Sequence, residues 1–238
     1  MMALTMDDYL GKIVGALTRI SEEERAGLDA AADLVADVIA RDGLIFVFGC
    51  GHSHLPALDA FYRAGGLANV SPILDDDLML HVGAAKSSRM EKMPGLAAEV
   101  FRRYRVTPRD MLVVISASGK NAVPVEMARA AKAAGVATVA ITSTAYRDHG
   151  AVLGDIADIA VDSKVPYGDA CVAVGEDCMG GLSTAASCFA LNTILIAGAR
   201  KALARGVRPP VFVSGNVDGG AARNAALEER YLGRVKNL

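Results

Sequence analysis

The stretch LIFVFGCGHSHLPALDAF, residues 44–61, passes from a β-rich apolar run into a polar loop and then into a helical pattern. Leu44–Phe48 is short and bounded by Gly43 and Gly49, which suits a buried strand better than a helix. The same progression recurs in MLVVISASGKNAVPVEMA, residues 111–128, where Met111–Ser116 leads into SASGKN and a helical segment. Two more β-rich runs follow at Val136–Thr142 and Ile156–Asp162, and a weaker one lies near Val70–Leu74. Helices fit the gaps at Leu55–Ala64, Arg89–Tyr104 and Ala122–Ala134, with a short turn near Tyr146–Leu153. Strands alternating with helices form β-α-β units, so the chain predicts one α/β domain with a mostly parallel, doubly wound sheet covered on both faces.

Outward from this centre, Tyr9/Leu10, Ile13, Leu17 and Ile20 recur at helical spacing, and Leu28, Leu34/Val35 and Val38/Ile39 repeat the pattern. Ser21-x-x-Glu24 between them has the form of a capping box starting the second helix. The single domain then divides into N-terminal helices over 1–41, a core over 42–204 and a C-terminal extension over 205–238. SKVPYGDACVAVGEDCMGG, from Ser163, reads as a long irregular segment, a lid or an oligomer contact. The apolar run Leu182–Ala199 approaches the length of a membrane span, but Ser183, Thr184, Ser187, Asn192 and Thr193 interrupt it. A buried helix, packed on another subunit, is the expectation.

Composition bounds the partners. The 238 residues include 24 glycines, 52% hydrophobic residues, 5% aromatics and no Trp. That content excludes a disordered chain, and its Ala, Val, Leu and Ile suit helices packed on a parallel sheet. A net charge of −2 argues against nucleic acid as a partner. The four cysteines, Cys50, Cys171, Cys178 and Cys188, form no C-x-x-C, and the N-terminal MMALTMDDYLGKIVGAL lacks a signal peptide's basic start and apolar core. Reduced thiols in a cytoplasm are expected, with no membrane partner.

In an open parallel sheet ligands bind beyond the carboxyl ends of the strands, where the two polar loops lie. Gly51 and Gly119 let the backbone approach an anion, and hydroxyls with helix N-terminal amides supply neutral donors. Either loop alone reads equally as a turn with a helix cap; two serine-bearing loops together favour anion binding. Other motifs fail. His54 stands at the last glycine position of a dinucleotide fingerprint, and Val114 and Asn121 break a Walker loop. Leu55 breaks a nucleophile elbow. His52-x-His54 has only His81 and His149 as further histidine ligands, so no metal and no cofactor are expected.

With GCGHS and SASGKN in this order and context, the sequence resembles the SIS (sugar isomerase) phosphosugar-binding family over roughly Leu28–Ala204. FYRAGG, NAVPVEMA and PPVFVSGNVDGG resemble a bacterial single-SIS subgroup related to phosphoheptose isomerase. The resemblance implies a three-layer αβα, flavodoxin-like fold with a five-stranded sheet and an N-terminal helical hairpin. It implies a sugar phosphate held by Ser53, Ser116 and Ser118, with Gly51, His52, Gly119, Lys120 and Asn121 in the same loops. It also implies a homodimer or homotetramer with sites near subunit interfaces.

The family's catalytic pair does not carry over. The segment after the first loop offers only Asp59 in place of a glutamate, and the long late helix has no histidine. Aldose–ketose isomerisation needs a base to move a proton between C1 and C2. His54 is a candidate beside Ser53, against a structural histidine; Glu91 is another, against a capping box Ser88-x-x-Glu91. Asp59 and Glu228 are weaker candidates, and Ser183 and Thr184 read equally as substrate contacts or helix caps. The run Asp75–Asp77 reads as a solvated turn rather than a cation site. The expected activity is a phosphosugar isomerase. The alternatives are a phosphosugar lyase or etherase, and a non-catalytic phosphosugar sensor.

Overall fold

A computed structural model describes residues 6–238. The first five residues of the segment read above for a signal peptide lie outside the described residues. Two helices, α1 (Met6–Glu23) and α2 (Arg25–Ala40), lead into β1 (Ile45–Gly49). The chain continues through α3 (Leu55–Ala60), β2 (Val70–Ile73), α4 (Leu80–Met90), α5 (Leu96–Arg102) and β3 (Met111–Ile115). Then come α6 (Ala122–Ala133), β4 (Ala137–Thr142), α7 (Leu153–Ile156) and β5 (Ile159–Asp162). A hairpin of β6 (Ala170–Val174) and β7 (Asp177–Gly181) precedes α8 (Ser183–Ala204) and α9 (Gly220–Tyr231).

The five-stranded sheet has the order β2-β1-β3-β4-β5 and every pairing in it is parallel. Alternation along each strand sorts its side chains between two cores. Ile45 and Val47 of β1, with Met111, Val113 and Ile115 of β3, pack under α2 and α8. Phe46, Phe48, Leu112 and Val114 point the other way, against α5, α6 and the C-terminal segment. These are the three layers, helix–sheet–helix.

Several expectations need correction. Ser21 lies inside α1, and Glu24 caps nothing with its side chain. Glu24 instead accepts from the Asp162 amide at 3.1 Å and pairs with the buried Lys164, which also meets Glu23 and Asp162. That ion cluster holds Lys164 strongly protonated and ties the α1–α2 junction to the end of β5. The segment after Asp162 is not irregular. Its β-branched and small residues pair in the β6–β7 hairpin, with Ala173 opposite Cys178, and Tyr9 donates to the Gly181 carbonyl at 2.9 Å. The helix expected over Arg89–Tyr104 is broken into α4 and α5, with Gly95 in the left-handed region at the break.

The apolar late helix α8 runs on to Ala204, and Ala186, Ala190, Leu191 and Ile194 are buried within the chain. Ile196 and Leu203 stay exposed. No helix among the described residues is long and apolar enough to cross a membrane. A Cβ on Gly198 would lie 2.3 Å from Val35 Cγ1 and 2.9 Å from the Ala32 carbonyl oxygen, so α2 and α8 touch backbone to side chain. Beside this notch Lys201 pairs with Asp29 and Asp33, and Arg205 with Asp33 and Asp37, one helical turn apart on α2. Gly198→Ala is therefore expected to lower stability by about 1–3 kcal/mol through overpacking, against a helix-propensity gain of at most about 1 kcal/mol. A lowered urea midpoint with an unchanged slope is the expected reading.

Candidate active site

The order β2-β1-β3-β4-β5 reverses direction between β1 and β3, the topological switch point where open α/β sheets bind ligands. Gly49, the last residue of β1, is in register with Ile115, the last of β3. The loops 50–54 and 116–121 therefore leave the sheet side by side. The two polar loops singled out from the sequence are neighbours in space.

The first loop is a tight 3-10 turn over Gly51–His54. Gly51 has a positive φ of 56°, and the Ser53 amide donates to the Cys50 carbonyl at 3.0 Å. A Cβ on Gly49 would sit 2.1 Å from the Ser53 carbonyl oxygen, so only glycine lets the turn fold back over the strand end. His52 is exposed and Ser53 half-buried. His54 is only 2% exposed, and its Nδ1 contacts the Gly51 carbonyl oxygen. A carbonyl can only accept, so Nδ1 carries the proton and the ring ties the turn shut.

Burial depresses the His54 pKa below its ordinary value, with the neighbouring His81 and His52 pulling the same way. The stability that the neutral ring contributes is present above the unfolded pKa of about 6.5 and is lost as pH falls through the lower folded value. A nitrogen-15 NMR titration should find His54 as the Nδ1–H tautomer, still neutral where a free imidazole is half protonated.

The second loop runs from Ser116 into α6. Ser116 Oγ accepts from the Gly119 amide at 3.2 Å, and its own O–H donates to no partner among the described residues. Gly119 has a φ of 57°, and a Cβ there would lie 2.6 Å from Thr142 Oγ1. Its carbonyl receives the Val152 and Leu153 amides, both at 3.0 Å. Ser118 is half-buried and Lys120 exposed. Among the described residues the Ser53 and Ser118 hydroxyls have no partner within the chain.

The N-terminus of α6 is less open than the sequence suggests. The Val123 amide donates to the Glu91 carbonyl at 3.0 Å, Pro124 has no N–H, and the Val125 amide donates to Asn121. Ala122 keeps the one free donor of the first turn, so the donors at this end of the sheet are mainly hydroxyls and loop amides.

Glu91 is bonded to the second loop. It directly follows Met90, the last residue of α4, so the capping-box alternative fails: Ser88 lies in the last turn of a helix and starts none. Its Oε1 accepts from Asn121 Nδ2 at 2.9 Å, on the second loop. Its charge also helps to raise the pKa of the buried Cys50 thiol, on the first loop, although burial is the larger cause. Burial raises the pKa of Glu91 itself above the ordinary carboxylate value, overcoming the opposing pull of Lys92.

The remaining candidates have other engagements. Asp59, one turn along α3, pairs with Arg63 and accepts from Asn192 Nδ2 of α8 at 3.1 Å. Glu228 on α9 accepts from the Tyr62 hydroxyl at 2.6 Å. Ser183 donates to Asp169 Oδ2 at 2.8 Å, and Asp169 Oδ1 takes the Leu182 and Ser183 amides, capping α8. Thr184 follows half-buried in the first turn of the same helix. Asp75 caps the 3-10 turn Asp76–Leu78 and pairs with Arg103, which makes the acidic run a structural turn.

His81 was visible only as a spare histidine. It stands at the start of α4 with its ring 6.0 Å from that of His54. Nothing local in LMLHVGAA signals this, because the β2–α4 connection brings it to the first loop.

The relatives agree with this architecture. A UPF0309 protein of Thermoanaerobacter pseudethanolicus is 38% identical over 97% of this chain and 99% of its own length. The solved phosphoheptose isomerase of Neisseria gonorrhoeae matches with a TM-score of 0.52 and 16% identity, over 80% of this chain and 94% of that one. The sugar isomerase domain of an RpiR transcription factor from Sphaerobacter thermophilus matches with a TM-score of 0.55 and 14% identity, over 97% and 99%. The SIS domain pattern itself matches residues 8–143, which take in both loops, Glu91 and the sheet through β4. With that match over more than half its length, the chain belongs to the SIS domain family.

Proposed function

We propose that this chain is an aldose–ketose isomerase acting on a sugar phosphate, with Glu91 moving the proton. The observation that carries this is the half-buried Glu91 carboxylate, bonded to Asn121 at the end of the second serine loop. A phosphate in the cradle accepts hydrogen bonds from the Ser53, Ser116 and Ser118 hydroxyls and from loop amides at Gly51, His52 and Lys120, while the Gly119 amide holds Ser116 Oγ. Asn121 orients Glu91. The carboxylate takes the C2 proton of the open-chain aldose while the C1 carbonyl oxygen gains a proton, giving a cis-enediol. Return of the proton to C1, with loss of the C2 hydroxyl proton, gives the ketose. His54 holds the first loop in place, and Asp59 and Glu228 serve as packing residues. The phosphoheptose isomerase likeness supports this activity by analogy of fold. The proposed form is a cytoplasmic homodimer or homotetramer.

A sensor is the second reading. It is favoured by the full-length likeness to the RpiR sugar isomerase domain and by the engagement of Asp59 with Arg63 and Asn192. NMR in D2O with a panel of aldose and ketose phosphates separates the alternatives. The isomerase must exchange the C2 proton and interconvert the pair. Binding without exchange identifies a sensor, and irreversible consumption with a second product identifies a lyase. Charge-assisted hydrogen bonds contribute about 1.5–3 kcal/mol each. Ser53→Ala with Ser118→Ala should thus weaken sugar-phosphate binding by about 10²–10⁴-fold. Wild-type affinity in that double variant rejects the phosphate cradle.

A further inference from the structure

The helix that Glu91 follows is barely part of the core. In LHVGAAKSSRM, residues 80–90, most side chains are small or polar, and only Ser87 is fully buried. The helix α6, one residue longer, buries Val123, Pro124, Val125, Met127, Ala128 and Ala131. Val82 is 46% exposed, and Met93 just beyond the helix is 51% exposed. Gly83 is extended rather than helical, so it breaks α4 after its first three residues.

The attachments of α4 are mainly polar. Ser87 Oγ donates to the Leu78 carbonyl at 2.8 Å, and Lys86 pairs with Asp77 at 3.0 Å, both in the turn just before the helix. At its start Leu80 lies against the first serine loop, since a Cβ on Gly51 would be 3.9 Å from Leu80 Cδ2. Past its end Glu91 takes Asn121 Nδ2 and the Val123 amide, and the Gly95 amide donates to Glu126 Oε2 at 2.8 Å. The segment therefore reaches from the first serine loop to the second. Gly95 has a φ of 87°, with open space where a Cβ would stand. A helix of 11 residues without tertiary contacts is marginal at best in water, so α4 melts when these attachments release.

We propose that α4 is a lid beside the serine loops, opening by local melting between Gly83 and Gly95 and held closed by a bound sugar phosphate. The inference rests on the phosphosugar reading and extends it. Closure sets Glu91 against Asn121, as seen here, so the proton-transfer site is complete only while the lid is down. A closed lid also keeps water from the enediol, the task that such segments perform for reactive intermediates. A segment with few buried apolar contacts opens at a lower free energy than the core, and that opening is the substrate's way in.

Hydrogen exchange of the full chain, read by mass spectrometry on peptides covering 80–95 and 122–133, tests the lid. Without ligand the α4 amides should exchange at least about tenfold faster than those of α6. Millimolar D-fructose 6-phosphate or D-glucose 6-phosphate should slow α4 at least about fivefold and leave α1 unchanged. Gly95→Ala should speed α4 about fivefold, because the added Cβ strains only the docked left-handed backbone. Ligand-free exchange of α4 as slow as that of α6 overturns the lid. So does unchanged α4 exchange with a sugar phosphate bound, and unchanged exchange in Gly95→Ala removes the hinge from Gly95. Binding is read separately, from NMR shifts of the Ser53, Ser116 and Ser118 amides. If neither sugar phosphate moves them, the phosphosugar reading and the closing ligand fail together, whereas fast ligand-free exchange still supports the opening of α4.

Discussion

Glu91→Gln is expected to abolish C2-proton exchange while leaving sugar-phosphate binding within a few-fold of wild type. Removing a general base typically lowers the rate by about 10²–10⁴-fold. The amide retains an oxygen that can accept from Asn121, so the second loop should stay where the carboxylate holds it. The wild-type rate should rise with pH through a base above the ordinary carboxylate range, because burial raises the Glu91 pKa, and the variant should lose that limb. Stability moves the other way. A carboxyl whose folded pKa is raised contributes most below its unfolded value of about 4.3, and that contribution is lost as pH rises through the folded pKa. At neutral pH the glutamine variant should therefore melt at or above the wild-type temperature. Single-turnover exchange and thermal melts on one preparation read both signs. A variant that exchanges at the wild-type rate removes Glu91 from the chemistry.

Gly49→Ala should have the largest structural effect of any one-carbon change at the site. The new Cβ would lie 2.1 Å from the Ser53 carbonyl oxygen and 2.4 Å from its carbonyl carbon. Both are backbone atoms of a tight turn, so no side chain can rotate away. Overpacking of this kind costs about 1–3 kcal/mol, occasionally more, and here the strain falls on the loop that carries Ser53. Sugar-phosphate affinity should drop at least about tenfold even in molecules that remain folded, because hydroxyls moved by about 1 Å no longer meet the phosphate oxygens. Titration beside a circular dichroism melt separates the two losses. Unaltered binding would show that the turn does not shape the cradle.

Much of the fold was legible because its signals are local. LIFVF, MLVVIS and VATVAIT are short apolar runs ended by glycine or serine, and each becomes a strand within a residue or two of the expected bounds. The serine loops were legible for the same reason. Glu91 was legible as a residue type but not as a contact, since its place depends on the break at Met93–Gly95 and on a helix start 30 residues away. The β6–β7 hairpin was missed because its glycines read as loop, whereas the antiparallel pairing and Tyr9 make it a strand pair. Ser21-x-x-Glu24 and Ser88-x-x-Glu91 both matched a cap pattern and neither caps, because tertiary partners claim the glutamates. The Asp59–Asn192 bond joins residues 133 positions apart, a distance no spacing rule covers.

The seam between α2 and α8 acts as a register lock for the site. Gly198 fits one place along α2, against Val35, and the aspartates at 29, 33 and 37 meet Lys201 and Arg205 in that same setting. A slip of one helical turn, about 5.4 Å, would lose the notch and misalign the ladder together. Asn192 rides on the same helix, so the slip would also carry it away from Asp59 on α3, the helix that follows the first loop. The position of the helix that follows the Gly51–His54 turn is thus set in part by a charge ladder at the far end of a 22-residue helix.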